Sequence, residues 1–182
     1  MSHTFDPDSA QSLEDVERFR YLSRDELVGA LDVESTATVA DIGSGTGFYT
    51  REVAPYVGEL YAVDMQDEMH ENFAEQEIPS NVELVLSPAA SLPFENEQLD
   101  GVFTTMTYHE LRKTAVEEIG RVLRPGGSLV VADWAKGGEG VRGPSLSERK
   151  SVDEATATLE AIGFEVLCAR SRPETFFVEA IR

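Results

Sequence analysis

Thr38-Val39-Ala40-Asp41-Ile42 runs straight into Gly43-Ser44-Gly45-Thr46-Gly47, and Glu59-Leu60-Tyr61-Ala62-Val63-Asp64 follows. The first run is apolar and partly β-branched around one acid, the pattern of a strand buried on both faces. Three glycines in the next five positions make a turn. Phe48, Tyr49, Val53 and Val57 then recur near one helical face, so the spacing predicts a helix over Phe48–Val57. Glu59–Val63 reads as a second strand, with Asp64 at its carboxyl end. A βαβ unit of this kind is right-handed, which makes the strands parallel and puts the glycine turn at their carboxyl edge. Open α/β sheets bind ligands at that edge.

Glycine lets a ligand approach the backbone and accepts positive φ, and the following helix brings N–H groups to the same place. Asp64 lies 21 residues beyond Gly43. An acid at about that distance, at the tip of the second strand, can accept hydrogen bonds from a ribose diol. A dinucleotide site wants a small residue at position 48 for close helix–strand packing, and Phe48 is too large for it. Gly-x-Gly-x-Gly preceded by Asp41 instead resembles the first motif of class I S-adenosylmethionine-dependent methyltransferases.

That resemblance extends along the chain. Val82–Leu86 is a third strand, followed by Ser87-Pro88-Ala89-Ala90-Ser91-Leu92-Pro93-Phe94. The family often reads Gly-Asp-Ala before Leu-Pro-Phe, its Asp holding the adenine amino group. Pro88 stands at that place here and removes the contact, which leaves the Ala89 N–H to reach the ring. Leu99–Thr105 is a fourth strand, and Met106 to Leu111 leads to a helix at Val116–Leu123. Arg124-Pro125-Gly126-Gly127, similar to the family's post-helix motif, reads as a turn before a fifth strand, Ser128–Trp134. A glycine-rich loop, Lys136–Pro144, is expected to be flexible and to rim the pocket. Val152–Ile162 is the last helix, capped by Gly163. Phe164–Ala169 and Thr175–Ala180 form a closing hairpin.

The family implies an α/β, three-layer Rossmann-like fold with a seven-stranded, mostly parallel sheet whose last strand is antiparallel. It implies S-adenosylmethionine as cofactor, bordered by Asp41, Gly43, Ser44, Gly45, Gly47, Asp64, Met65, Ala89 and Thr105. Met65 would lie against adenine, a core role being the alternative. Residues after the fourth strand line the space between the cofactor methyl group and the acceptor. Tyr108 and His109, with Glu110 beside them, are therefore candidates for a general base or acceptor contact. Capping of the next helix is the competing role for them. Asp133 and Trp134 enter the acceptor side, where the Trp could equally pack at the rim.

Ahead of the first strand, Met1–Asp8 is polar and expected to be disordered. Ser12 opens one short helix to Phe19, and Ser23 opens another with Leu27, Val28 and Leu31 as its apolar face. Two such helices resemble the lid of small methyltransferases, and simple packing on the sheet is the alternative. Arg18, Phe19, Arg20 and Tyr21 are its candidate lid residues, with Arg18 and Tyr21 toward substrate. One domain is expected over 1–182, with 1–36 as lid and 37–182 as core.

The chain carries 34 acidic against 15 basic residues, a net charge of −19. Such a surface repels nucleic acid and anionic membranes, so neither is an expected partner. Acids spread along the chain with few lysines resemble halophilic proteins, where salt screens self-repulsion. No secretory signal is visible, Cys168 has no internal partner, and the cytoplasm is the default location. His3, His70 and His109 show no metal-ligand spacing. The small-methyltransferase type includes ubiquinone/menaquinone-biosynthesis-like and arsenite-methyltransferase-like branches. Arsenite chemistry needs several thiolates and is excluded by the single cysteine. A small-molecule acceptor is the first expectation. A cofactor-binding regulatory module or a protein methyltransferase are the alternatives.

Overall fold

The computed structural model describes residues 7–182, so the disorder expected for Met1–Asp8 falls outside it up to residue 6. Seven strands form one sheet: β1 (Thr38–Ile42), β2 (Glu59–Asp64), β3 (Val82–Leu86), β4 (Leu99–Thr105), β5 (Leu123–Trp134), β6 (Glu165–Ser171) and β7 (Thr175–Ile181). Their order is β3-β2-β1-β4-β5-β7-β6, parallel throughout except that β7 runs antiparallel to both neighbours. The strand order reverses beside β1, so the crevice opens between the carboxyl ends of β1 and β4.

Alternation along the strands supplies two cores. Ala40, Val102, Leu129, Val131 and Val178 face one cluster, with Val116, Ile119 and Val122 of α4 (Lys113–Val122) and Ala155 and Leu159 of α5 (Val152–Ala161). Val39, Phe103, Val130, Ala132 and Phe177 face the other, with Leu27 and Leu31 of α1 (Arg24–Leu31) and Phe48, Tyr49 and Val53 of α2 (Phe48–Val53). One further helix, α3 (Asp67–Ala74), buries Met69 and Phe73. Helices on both sheet faces give the three expected layers.

Three local readings change. The helix expected over Phe48–Val57 stops at Val53 and tightens into a 3₁₀ turn at Ala54–Tyr56, because Pro55 has no N–H and restricts its predecessor. Ser12 does not open a helix. A 3₁₀ segment already runs from Pro7 to Glu14, and Asp15 caps the next turn, Val16–Arg20, by accepting the Glu17 N–H at 2.9 Å. Ser23 does cap α1, accepting from Glu26. Arg124–Gly127 is not a turn between elements but an irregularity inside β5. The register steps from Leu99 opposite Leu123 to Gly101 opposite Ser128, with Gly126 at φ +76°.

At α5, Ser151 accepts from Glu154 while Glu154 accepts from the Ser151 N–H, a reciprocal cap. Ser151→Ala is expected to cost about 1 kcal/mol, read as a lower urea midpoint at unchanged slope.

Candidate active site

The glycine turn takes its shape from what crowds it. Gly43, Gly45 and Gly47 have φ of +76°, +54° and +79°, all in the left-handed region. A Cβ on Gly43 would lie 2.3 Å from Thr107, whose hydroxyl reaches the Gly43 carbonyl at 3.3 Å and joins the ends of β1 and β4. The turn's N–H groups are mostly committed within the protein. Gly43 and Ser44 donate to the Val63 carbonyl at 2.8 and 3.0 Å, and Gly47 donates to that of Ser44. Gly45 donates to Asp64 Oδ2 at 2.8 Å, while Gln66 N–H donates to Oδ1 at 3.0 Å. Asp64 thus faces the glycines rather than bulk water, with lone pairs to spare on both oxygens. Ser44 offers a buried hydroxyl with no hydrogen-bond partner. Asp41 lies behind the turn, accepting from Thr50 at 2.7 Å with its other oxygen unpaired. Burial raises its pKa to about 7, against the pull of the Thr50 hydroxyl and with the charge of Asp64 adding to the rise.

A cleft of about 970 Å³ opens from this turn along the carboxyl edge of the sheet. Of the residues expected around a cofactor, Gly43, Ser44, Gly45, Asp64, Met65, Ala89 and Thr105 line it. Met65 is 60% exposed there, so a core role does not describe it. Two do not reach the cleft: Asp41 is buried behind the turn, and Gly47 is packed against the Phe73 ring.

The N-terminal segment is fastened over the glycine turn. Glu14 accepts from the Thr46 hydroxyl at 2.5 Å and pairs with Arg51 of α2. The Tyr49 hydroxyl reaches the Arg18 and Leu22 carbonyls at 3.1 and 3.0 Å. Arg18 lies over the rings of Phe48 and Tyr49 and donates to the Leu13 carbonyl, so its guanidinium serves packing while it borders the cleft. Tyr21 borders the cleft too and meets Trp134 edge-on at 4.9 Å.

At the far end, Met106 holds φ +58°, an uncommon conformation for its type, and turns the chain into a 3₁₀ turn at Tyr108–Glu110. One residue decides what faces where. Tyr108 is fully buried against Phe176, does not line the cleft, and burial pushes its phenol up to about 12. This corrects its placement among the catalytic candidates. His109 does line the cleft. Asp133, at 0% exposure, lies behind it rather than against a ligand. Its oxygens stand 3.0 Å from His109 Nδ1 and accept the backbone N–H groups of His109 and Trp134. Burial opposes the imidazolium, but the hydrogen bond and charge of Asp133 outweigh it and hold the His109 pKa above its ordinary value.

The 136–150 loop is more tightly held than its glycines suggest. The buried Arg149 donates to the carbonyls of Pro144, Ala135 and Arg142, pairs with Glu174 and lies over Trp134. Arg142 crosses to Asp15 and Glu17, tying the loop to the N-terminal segment. Lys150 donates to the Tyr108 and Leu111 carbonyls on either side of His109. Glu14, Arg142, Arg149 and Lys150 carry no motif that would mark them in the sequence. Their partners lie on remote segments.

A family model described as a methyltransferase domain matches residues 40–131. The ubiquinone/menaquinone biosynthesis C-methyltransferase UbiE of Ectopseudomonas mendocina is 32% identical over 109 residues, 55% of this chain and 43% of that protein. The chain spans less than half the length of curated relatives such as this one. Among solved structures, a SAM-dependent methyltransferase from Aquifex aeolicus has a TM-score of 0.88 at 29% identity, covering 98% of this chain and 99% of that one. A complex of the Haloferax volcanii Trm112 methyltransferase activator with a methyltransferase gives 0.80 at 19% identity, with coverage of 98% and 99%, a likeness of fold alone. With that family match over half its length, the chain belongs to the class I S-adenosylmethionine-dependent methyltransferases.

Proposed function

We propose that the chain transfers the methyl group of S-adenosylmethionine directly to a small-molecule acceptor held beside His109. The observation that carries this reading is one continuous cleft, bordered at one end by Asp64 and Ser44 and at the other by His109. The N-terminal segment and the 136–150 loop border it too and are tied across by Arg142. A cleft bounded in this way suits a small acceptor better than a folded surface.

The residues fit the cofactor. Asp64 has lone pairs free for a ribose diol, the unpartnered Ser44 hydroxyl suits the polar amino-acid end, and exposed Met65 offers an apolar surface to the ring. Asp41 acts through the turn, holding the Thr50 hydroxyl behind the glycines rather than touching the cofactor. When bound, S-adenosylmethionine supplies a methyl group activated by its sulfonium. The chain's part is alignment: it holds cofactor and acceptor in line and keeps water out, so few side chains need take part chemically. The acid-rich surface suits work in high salt.

Calorimetry in molar KCl is expected to show saturable S-adenosylmethionine binding, and methyl-labelled cofactor is expected to mark the low-molecular-mass fraction of a cell extract. No binding would defeat the reading. A second reading, a protein acceptor with an activator partner, draws on the Trm112-bound structural neighbour. Label found only in macromolecules would favour it.

A further inference from the structure

We propose that His109 and Asp133 form a proton-accepting dyad, and that the acceptor is a weakly acidic hydroxyl on a flat, apolar framework, a phenol or an enol. The proposal rests on the small-molecule reading above and assigns its acceptor end. With Nδ1 between both Asp133 oxygens at 3.0 Å, that nitrogen carries the proton, which leaves Nε2 as the nitrogen with a free lone pair. His109 borders the cleft while Asp133 is sealed behind it, where three N–H groups converge on the carboxylate: the His109 backbone, the His109 ring and Trp134. That is an orienting group, a base and an open side, in that order. A structural cap for α4 would need none of this, and the α4 cap residue, Arg112, makes no side-chain cap bond.

Lys150 is a positioning residue. Its ammonium grips the carbonyls of Tyr108 and Leu111 at 3.0 and 2.8 Å and lies over the Tyr108 ring, which fixes the turn that carries the imidazole. The charged groups facing His109 are Asp133 from β5, Glu110 on its own turn with Oε1 at 3.7 Å from Nε2, and Lys150 ahead of α5. The two acids favour the imidazolium and Lys150 opposes it. The Tyr21 and Trp134 rings on the same cleft suit a planar framework.

The step balances simply. The hydroxyl proton passes to Nε2, giving an imidazolium held by Asp133. The O–H electron pair becomes the new oxygen–methyl bond, and the pair of the broken methyl–sulfur bond stays on sulfur.

The test uses the full chain in molar KCl. Nitrogen-15 NMR of the imidazoles, with His109→Gln for assignment, is expected to show His109 protonated at Nδ1 and titrating above an ordinary histidine. Asp133→Asn is expected to lower that midpoint and mix the tautomers. With carbon-13-methyl S-adenosylmethionine and the low-molecular-mass extract fraction, wild type is expected to give a methoxy signal. Its rate should rise tenfold per pH unit up to the His109 midpoint and then level. His109→Gln should lose that limb and about 10²-fold or more in rate, while calorimetry shows its cofactor affinity within about twofold of wild type. An unchanged pH–rate profile in His109→Gln, an Nε2-protonated ring, or label on nitrogen or sulfur would overturn the proposal. Cofactor binding with no transfer to small molecules would defeat the small-molecule reading beneath it as well. Absence of cofactor binding by wild type would instead defeat the reading beneath it.

Discussion

Asp64→Ala is expected to weaken S-adenosylmethionine binding by about 10²-fold or more. Hydrogen bonds to charged groups contribute about 1.5–3 kcal/mol each, and a ribose diol would make two of them. Two at the lower end of that range give about 3 kcal/mol as the expected loss, and each 1.4 kcal/mol is tenfold. The substitution also releases the Gly45 and Gln66 N–H groups, which loosens the turn before the ligand arrives. Asp64→Asn keeps the shape and one acceptor and should lose less. Calorimetry on both variants, with thermal unfolding as a control for folding, decides the matter. An affinity equal to wild type in Asp64→Ala would remove this carboxylate from the cofactor site.

Gly47→Ala is expected to destabilise the protein by about 2–5 kcal/mol, a large share of the roughly 5–15 kcal/mol typical of a domain. Two effects combine. Left-handed backbone at φ +79° costs a residue with a Cβ about 1–2 kcal/mol. The new methyl would sit 2.2 Å from the Phe73 ring, an overpacking of a further ~1–3 kcal/mol. Adding Phe73→Leu should relieve the second effect and leave the first. Gly126→Ala isolates the first alone, since that glycine has φ +76° with nothing near a would-be Cβ, and should cost only about 1–2 kcal/mol. Chemical denaturation of the three variants separates the contributions. Equal losses at Gly47 and Gly126 would show that the Phe73 contact is soft.

What could be read in advance follows the range of the interactions involved. β1, β2, β3 and β4 lie where their apolar runs place them: β1 and β4 are buried almost throughout, and the half-exposed edge strand β3 still follows its Val-Leu run. The ligand edge was equally visible, since glycine spacing and an acid at the next strand end are short-range signals. Ser12 misled because several residues in that segment can cap, and Asp15 holds the position in the folded chain. Arg124–Gly127 looks like a turn by composition, yet pairing with the opposing strand and with Arg182 absorbs it into β5. Tyr108 and His109 are adjacent, and only the direction of one 3₁₀ turn separates a core ring from a cleft imidazole. Asp133 was legible as a residue of the acceptor end but not as the partner of His109, 24 positions away.

Arg149 reaches two main-chain oxygens of its own loop and a third at Ala135 just before it, and a main-chain oxygen is the same whatever side chain its residue carries. The mouth of the cleft is thus framed by bonds blind to residue type, while Val141 and Leu146 point outward at 79% and 41% exposure. Outline and chemistry are separable there: exchanging the cleft-lining Pro144 would re-tailor what the mouth admits, exchanging Val141 or Leu146 would alter only the outer surface, and the frame would keep its form.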